Sequence, residues 1–167
     1  RFAEEEARAR RNGTSFQVVM LDLDEFKLVN DTYGHSIGDQ VLREVARVLN
    51  AQLREYDFLA RYAGDEFVAV VQDLHHAPAD DLRERIETAI SQLSVRVPPD
   101  QRARVGVSVG SARFGTDGET LNQLLIAADQ AMYSVKSDHK QRRRRNSGAP
   151  LSAVETSTDE LATTAIN

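Results

Sequence analysis

The chain has 167 residues, 41% of them hydrophobic, a length and content that suit one domain with its own core. Its net charge of −5 excludes a general attraction to nucleic acid or to an anionic membrane, so any phosphate it binds must be held locally, by cations, Lys, Arg or backbone N–H groups. It has no cysteine, which excludes disulfides and zinc–thiolate sites, and its 4 histidines, two of them adjacent at His75-His76, make a histidine metal centre improbable.

Arg1 to Asn12 (RFAEEEARARRN) is helix-prone and charged, with a thin apolar stripe of Phe2, Ala3 and Ala7. It opens with neither an initiator Met nor a cap, as expected of a piece cut from a longer chain. Gly13-Thr14 breaks it. Ser15 to Asp24 (SFQVVMLDLD) carries four consecutive apolar residues, Val18 to Leu21, between polar ones, the pattern of a central strand buried on both faces. Its end is Asp22-Leu23-Asp24. Alternate residues of a strand share a face, so both carboxylates point the same way, a common means of holding a hard cation such as Mg²⁺. Asp24 equally suits the cap of a helix starting at Glu25, and the residues alone leave both readings open.

Glu25 to Tyr33 reads as a short amphipathic helix with Phe26, Val29 and Tyr33 on one side. Gly34 to Asp39 reads as a loop, with Asp39 capping a helix over Gln40 to Leu53 whose stripe is Val41, Leu42, Val45, Val48, Leu49 and Leu53. Phe58-Leu59-Ala60 and Phe67 to Val71 are β-prone runs joined by Arg61-Tyr62-Ala63-Gly64-Asp65-Glu66, a hairpin in which Gly64 is free to take positive φ. One acid beside the Gly is ordinary turn chemistry; a second, at the start of a strand, is not. Taken alone, Asp65 and Glu66 still admit the reading of a solvated acidic turn.

Leu74 to Ala79 reads as a loop, and Asp80 to Leu93 as a helix with Leu82, Ile86, Ala89, Ile90 and Leu93 inward, ended by Pro98-Pro99-Asp100. Val105 to Gly110 alternates as a strand whose second face holds only Gly and Ser, so that a helix or ligand can approach it closely. A turn at Gly115-Thr116-Asp117-Gly118 leads to a final helix from Thr120, with Leu121, Leu124, Leu125, Ala128, Met132 and Val135 inward, running into the basic stretch Lys136 to Arg145. Residues 146–167 have the composition of a disordered tail. No apolar stretch reaches the roughly 18 residues of a membrane span and there is no signal peptide, so a cytoplasmic chain without membrane contact is expected. A hairpin between helices excludes a purely parallel doubly wound sheet and predicts an α+β domain, a mostly antiparallel sheet with helices on its faces.

Asp22-Leu23-Asp24-Glu25-Phe26-Lys27, then Asn30-Asp31, Gly34-His35, Gly38-Asp39 and finally Ala63-Gly64-Asp65-Glu66-Phe67 together resemble the GGDEF family, over about residues 1 to 140. The resemblance implies a ferredoxin-like palm, similar to nucleotide cyclases and polymerases, with a catalytic domain over 1–145. It implies a diguanylate cyclase that condenses two GTP into cyclic di-GMP and pyrophosphate, working as a homodimer with one GTP in each half-site. Carried over by position, Asp22, the Leu23 carbonyl and Asp65 would bind two Mg²⁺ or Mn²⁺ ions, Asp65 would be the general base and Glu66 would stand beside it. Lys27, Lys136 and Lys140 would meet the triphosphate, Asn30 and Asp39 would read guanine, and His35 would lie next to the nucleotide. Arg54-Glu55-Tyr56-Asp57 falls at the family's Arg-x-x-Asp product-inhibition motif, with Arg85 at the position of a second Arg contacting inhibitory cyclic di-GMP. Without the resemblance, Arg54 is an ordinary helix-end residue and Lys140 part of a frayed basic helix end.

The sequence departs from the family at three places. Ala63 stands for the first Gly of the signature, and would cost about 1 kcal/mol if that position needs positive φ. His139-Lys140 stands where the family shows Gly-Arg, keeping the charge and losing the bidentate fork. The family's Asp-x-Leu-Thr segment and an upstream sensory or receiver region are expected ahead of Arg1. Ala63, His139 and Lys140 motivate an alternative, an inactive domain that senses GTP or cyclic di-GMP.

Overall fold

The computed structural model describes residues 1–72 and 79–147. Phe16–Asp24 forms β1, buried at every position as its apolar run requires. It lies between two antiparallel neighbours, β3 (Glu66–Gln72), in register from Phe16 opposite Gln72 to Asp22 opposite Glu66, and β6 (Gly106–Arg113), in register from Gln17 opposite Arg113 to Asp24 opposite Gly106. β2 (Phe58–Ala63) pairs with the outer edge of β3, giving the order β2-β3-β1-β6. This is the expected ferredoxin-like α+β sheet, antiparallel throughout.

Alternation along β1 divides the core in two. Val19, Leu21 and Leu23 pack with Phe26 and Val29 of α2 (Phe26–Tyr33), Val41, Val45 and Leu49 of α3 (His35–Gln52), and Ile86 and Ile90 of α4 (Ala79–Gln92). Phe16, Val18 and Met20 pack on the other face with Ala9 of α1 (Phe2–Asn12) and with Leu124, Ala128 and Met132 of α5 (Leu121–Ser147). By the same alternation Asp22 and Asp24 belong to the face that α5 covers.

α5 reaches that face through Gly110. A Cβ built there would lie 2.1 Å from the Met132 nitrogen and 2.3 Å from the Ala128 carbonyl oxygen, so the helix backbone rests directly on the strand. The Gly-and-Ser face of β6 is thus taken by a helix.

Several boundaries differ from the sequence reading. Residues 34–39 are not a loop capped by Asp39: α3 begins at His35, after Gly34 at φ 83°, and Asp39 sits inside the helix. With two glycines in five residues the stretch reads as loop, but Gly38 is buried against α2 and takes helical backbone. Glu25 precedes α2 in the left-handed region at φ 62° rather than opening the helix. The segment around Pro98-Pro99 is a small hairpin of β4 (Val95–Val97) and β5 (Gln101–Ala103), with Val95, Val97 and Ala103 turned into the core. α5 continues to Ser147, two residues into the expected tail. The rest of that tail, the loop before Ala79, and His75 and His76 lie outside the described residues.

Gly110→Ala should destabilise the domain by about 1–3 kcal/mol, because the obstructing atoms are helix backbone and cannot rotate away. Urea denaturation measures this directly; an unchanged midpoint and slope would refute the close α5–β6 contact.

Candidate active site

The tips of β1 and β3 meet where the acids are. Asp22 stands opposite Glu66, and the Leu23 N–H donates to the Asp65 carbonyl at 3.3 Å, fastening the hairpin turn to the end of β1. Gly64 takes φ 47°, and the Arg61 Nε donates to its carbonyl at 2.7 Å. A bulge between Arg61 and Ala63 takes up the extra residue. Among the described residues, the one non-glycine at positive φ is Glu25, so Ala63 occupies an ordinary conformation. The strain that the Ala63 substitution would have introduced is absent.

α5 contributes the cation. Its Lys136 ammonium donates to Asp22 Oδ1 at 2.6 Å, and Asp22 is 8% exposed. One turn further, His139 Nδ1 lies 3.1 Å from Asp24 Oδ2, while the fully buried Ser108 hydroxyl donates to Asp24 Oδ1 at 2.8 Å. Burial pushes the Asp22 carboxyl above its ordinary value, with Asp65 and Asp24 adding repulsion and Lys136 opposing. Burial also raises Glu66, reinforced by Asp22, Asp65 and Asp129. For Lys136, burial favours the neutral form but is outweighed by the bond to Asp22 and by the charges of Asp22, Asp24 and Asp65, which raise it. Asp22 and Lys136 both rise although a simple ion pair would lower the acid. The physical reason is the burial of Asp22, which outweighs its bond to Lys136, with the charges of Asp65 and Asp24 adding to the rise.

These donors fit a hard divalent cation. Side-chain carboxylates and a strand-end carbonyl are oxygen ligands, the set that Mg²⁺ or Mn²⁺ takes. Among the described residues no three Asp, Glu or His side chains converge closely enough to hold an ion unaided. Mg²⁺ commonly takes one or two carboxylates and completes its shell with water and phosphate oxygens.

A second group of candidates gathers on α2 and α3. A Cβ on Gly38 would fall 1.9 Å from Asn30 Oδ1, so Gly38 is what admits the Asn30 side chain between the helices. Asp39 follows at the surface, on the wall of a cavity of about 540 Å³ shared with Leu42, Asn50, Leu59 and Phe67. His35 is exposed at the first position of α3. Lys27, in the first turn of α2, is exposed and paired with Asp31 at 2.7 Å. Lys140 is exposed one turn beyond Lys136 on α5.

The third group lies at the opposite end of β2. Asp57 accepts from the Arg54 N–H at 2.9 Å and from the Gln72 N–H at 3.2 Å, closing the turn into the strand. Arg85 donates to the carbonyl of Gln52 at the end of α3, and the Arg54 guanidinium to the Tyr56 hydroxyl at 3.2 Å. The six residues of β2 put roughly 20 Å between this cluster and the acidic turn. The bonding of His139 to Asp24 and Ser108 is what the sequence reading missed. The residue was visible as a departure, three positions after Lys136, but its partners are more than 30 residues away in sequence.

Acids at the joined tips of two antiparallel strands, on a β2-β3-β1-β6 sheet flanked by helices, define a ferredoxin-like α+β domain with an acidic site at its strand tips. Within that class the chain belongs to the GGDEF family: residues 1–142 match the family described as diguanylate cyclase, GGDEF domain. It is 42% identical over 132 residues to the bifunctional diguanylate cyclase/cyclic di-GMP phosphodiesterase MucR of Pseudomonas aeruginosa, covering 77% of this chain and 18% of that protein. Among solved structures it resembles the diguanylate cyclase SiaD from Pseudomonas aeruginosa, in complex with its activator SiaC (TM-score 0.73, 39% identity, 81% of this chain and 52% of that one). It is also similar to the GGDEF domain of DgcB from Caulobacter crescentus in complex with c-di-GMP (TM-score 0.72, 32% identity, 82% and 83%). The chain spans about a third or less of the length of the curated relatives it matches, 18% of one and 30% of another. No described helix is long and apolar enough to cross a membrane.

Glu66 yields a pH prediction. Its carboxyl ionises at higher pH in the folded than in the unfolded chain, so the folded state holds the proton longer. Its contribution therefore favours folding below the ordinary value of 4.5 and declines as pH rises through the raised one. Glu66→Gln should melt at a higher temperature than the parent at pH 7, with the gain shrinking toward pH 4. Calorimetry of both proteins across that range, without divalent cations, checks the sign; a gain largest at low pH would contradict the burial and repulsion assigned to Glu66.

Proposed function

We propose that residues 1–145 are the catalytic domain of a diguanylate cyclase acting as a homodimer on GTP. The observation that carries this reading is the excess of carboxylates at the strand tip, Asp22, Asp65 and Glu66 around a single ammonium, close in the chain to the Asn30–Gly38–Asp39 arrangement.

Asp39 accepts hydrogen bonds from guanine N1–H and N2–H, which adenine cannot donate in that pattern, and Asn30 reads the remaining edge. Among the described residues no side chain caps α2, and the left-handed turn at Glu25 leaves the first N–H groups of that helix to phosphate oxygens. Lys136 and Lys140 hold the triphosphate from α5, and Lys27 joins them by leaving Asp31, a surface pair of little strength. Asp22, the Leu23 carbonyl and Asp65 hold Mg²⁺ or Mn²⁺. Such ions activate the 3′-hydroxyl and neutralise charge on the phosphates. Asp65 takes the proton of the attacking 3′-hydroxyl, with Glu66 beside it. The new 3′-oxygen–phosphorus bond forms as the bond from the α-phosphorus to pyrophosphate breaks, once from each protomer. Arg54, Asp57 and Arg85 bind the product as an inhibitor, Arg stacking on guanine and gripping phosphate.

With Mg²⁺ and GTP, Asp65→Asn should lower cyclic di-GMP formation by at least about 100-fold, followed by chromatography. Undiminished synthesis sinks the assignment. Arg54→Ala should keep turnover and lose inhibition by added cyclic di-GMP; inhibition of unchanged strength would remove the product site from Arg54.

A further inference from the structure

α5 presents Lys136 to the acidic tip beyond Met132, its last buried apolar residue among those described. Leu124, Ala128 and Met132 are buried, and between residues 133 and 142 no side chain is. Beyond Met132, where Val135 is only partly buried, α5 bonds to the sheet through Lys136 to Asp22 and then His139 to Asp24. Asp24 is 6% exposed and comes from β1; Ser108, with no exposed surface, comes from β6. A carboxylate only accepts, so the contact at 3.1 Å places a proton on His139 Nδ1. The same nitrogen lies 3.4 Å from the Ser108 oxygen, whose own hydrogen goes to Asp24. One histidine thus joins α5 to β1 through Asp24, which Ser108 in turn ties to β6.

We infer that His139 is a positioning residue for Lys136, pinning α5 one turn past it so that the ammonium meets the triphosphate from a fixed helix. The inference rests on the proposed cyclase reading. His139 stands where the family shows glycine, which has no side chain to reach Asp24, so in this chain the pin accompanies the exchange of the neighbouring guanidinium for Lys140. Lys140 lacks the planar fork that would orient itself on phosphate, which leaves more of the orientation to Lys136.

The test uses the chain itself, His139→Gly and His139→Gln, Gln keeping an N–H donor for Asp24. Amide hydrogen exchange reads the pin without any ligand. His139→Gly should accelerate exchange over residues 136–142 while leaving Leu124 to Met132 unchanged, and Gln should restore protection. Calorimetry with Mg²⁺ and a non-hydrolysable GTP analogue reads the consequence: affinity about 10-fold weaker for Gly, the loss of one charge-assisted hydrogen bond, and recovered mostly by Gln. In turnover the same loss should appear in KM, with kcat nearly unchanged. Unchanged exchange in His139→Gly overturns the pin. Faster exchange with unchanged analogue affinity overturns the positioning role. A parent chain that binds the analogue normally but makes no cyclic di-GMP overturns the cyclase reading and leaves the positioning of Lys136 standing on the binding result. A parent chain that does not bind the analogue overturns both readings.

Discussion

Carboxylates gathered on one sheet tip repel one another, and the architecture offers them little to offset it. β1 is buried on both faces, its register with β3 sets Asp22 against Glu66, and the Leu23–Asp65 backbone bond prevents the turn from moving away. Lys136 answers part of that charge, while burial first and the neighbouring carboxylates second raise the ionisation of both Asp22 and Glu66. A site that favoured stability alone would have dispersed these acids, whereas one that binds hard cations and phosphates needs them together. Binding there stabilises the fold by mass action, so the local conflict and the proposed chemistry are two sides of one free energy.

The rest of the fold supplies rigidity around that conflict. The odd positions of β1 bind it to α2, α3 and α4, and the even ones to α1 and α5, so its tip is fixed from both faces. Gly110 and Gly38 act as spacers. The first lets α5 lie against β6, bringing Lys136 and His139 within reach of the acids, and the second lets Asn30 fit between α2 and α3. Both are places where a single methyl group would collide with the group that carries the site. At the far end of β2, Asp57 ties the backbone of Arg54 to that of Gln72, so the proposed product site is built into the opposite margin of the same hairpin.

What could be read from the sequence follows from range. The four-residue apolar run of β1, the Asp22-Leu23-Asp24 alternation and the Gly64 turn are local patterns, and each takes the predicted form. The Gly-and-Ser face of β6 announced a close approach by a helix or a ligand, and a helix takes it. Residues 34–39 misled because Gly38 serves a tertiary purpose, room for Asn30, that local propensity reads as a loop. β4 and β5 were missed because strands of three residues beside two prolines give almost no periodic signal. His139 was legible only as an exception to a family pattern; its partners Asp24 and Ser108 lie on two other strands, and no spacing rule reaches them. The question of Ala63 was one of backbone conformation, answered by φ and not by residue type.

Lys136 joins these strands of argument. A cation entering at Asp22 competes with the ammonium 2.6 Å away, so Lys136 must be able to leave Asp22 and still remain at the site. A lysine on a loop would leave by moving its backbone, at a large entropic cost each time the site loads. On α5 the backbone is fixed before Lys136 by Gly110 beneath Ala128 and Met132, and after it by His139 on Asp24. Only the four-carbon side chain then has to move, and its length lets the charge pass from carboxylate to phosphate without disturbing the helix. A rigid helix carrying a flexible cation meets both requirements of the site: part of the acids' charge is answered by the protein itself, and a metal-bound triphosphate can take that partner's place without unfolding anything.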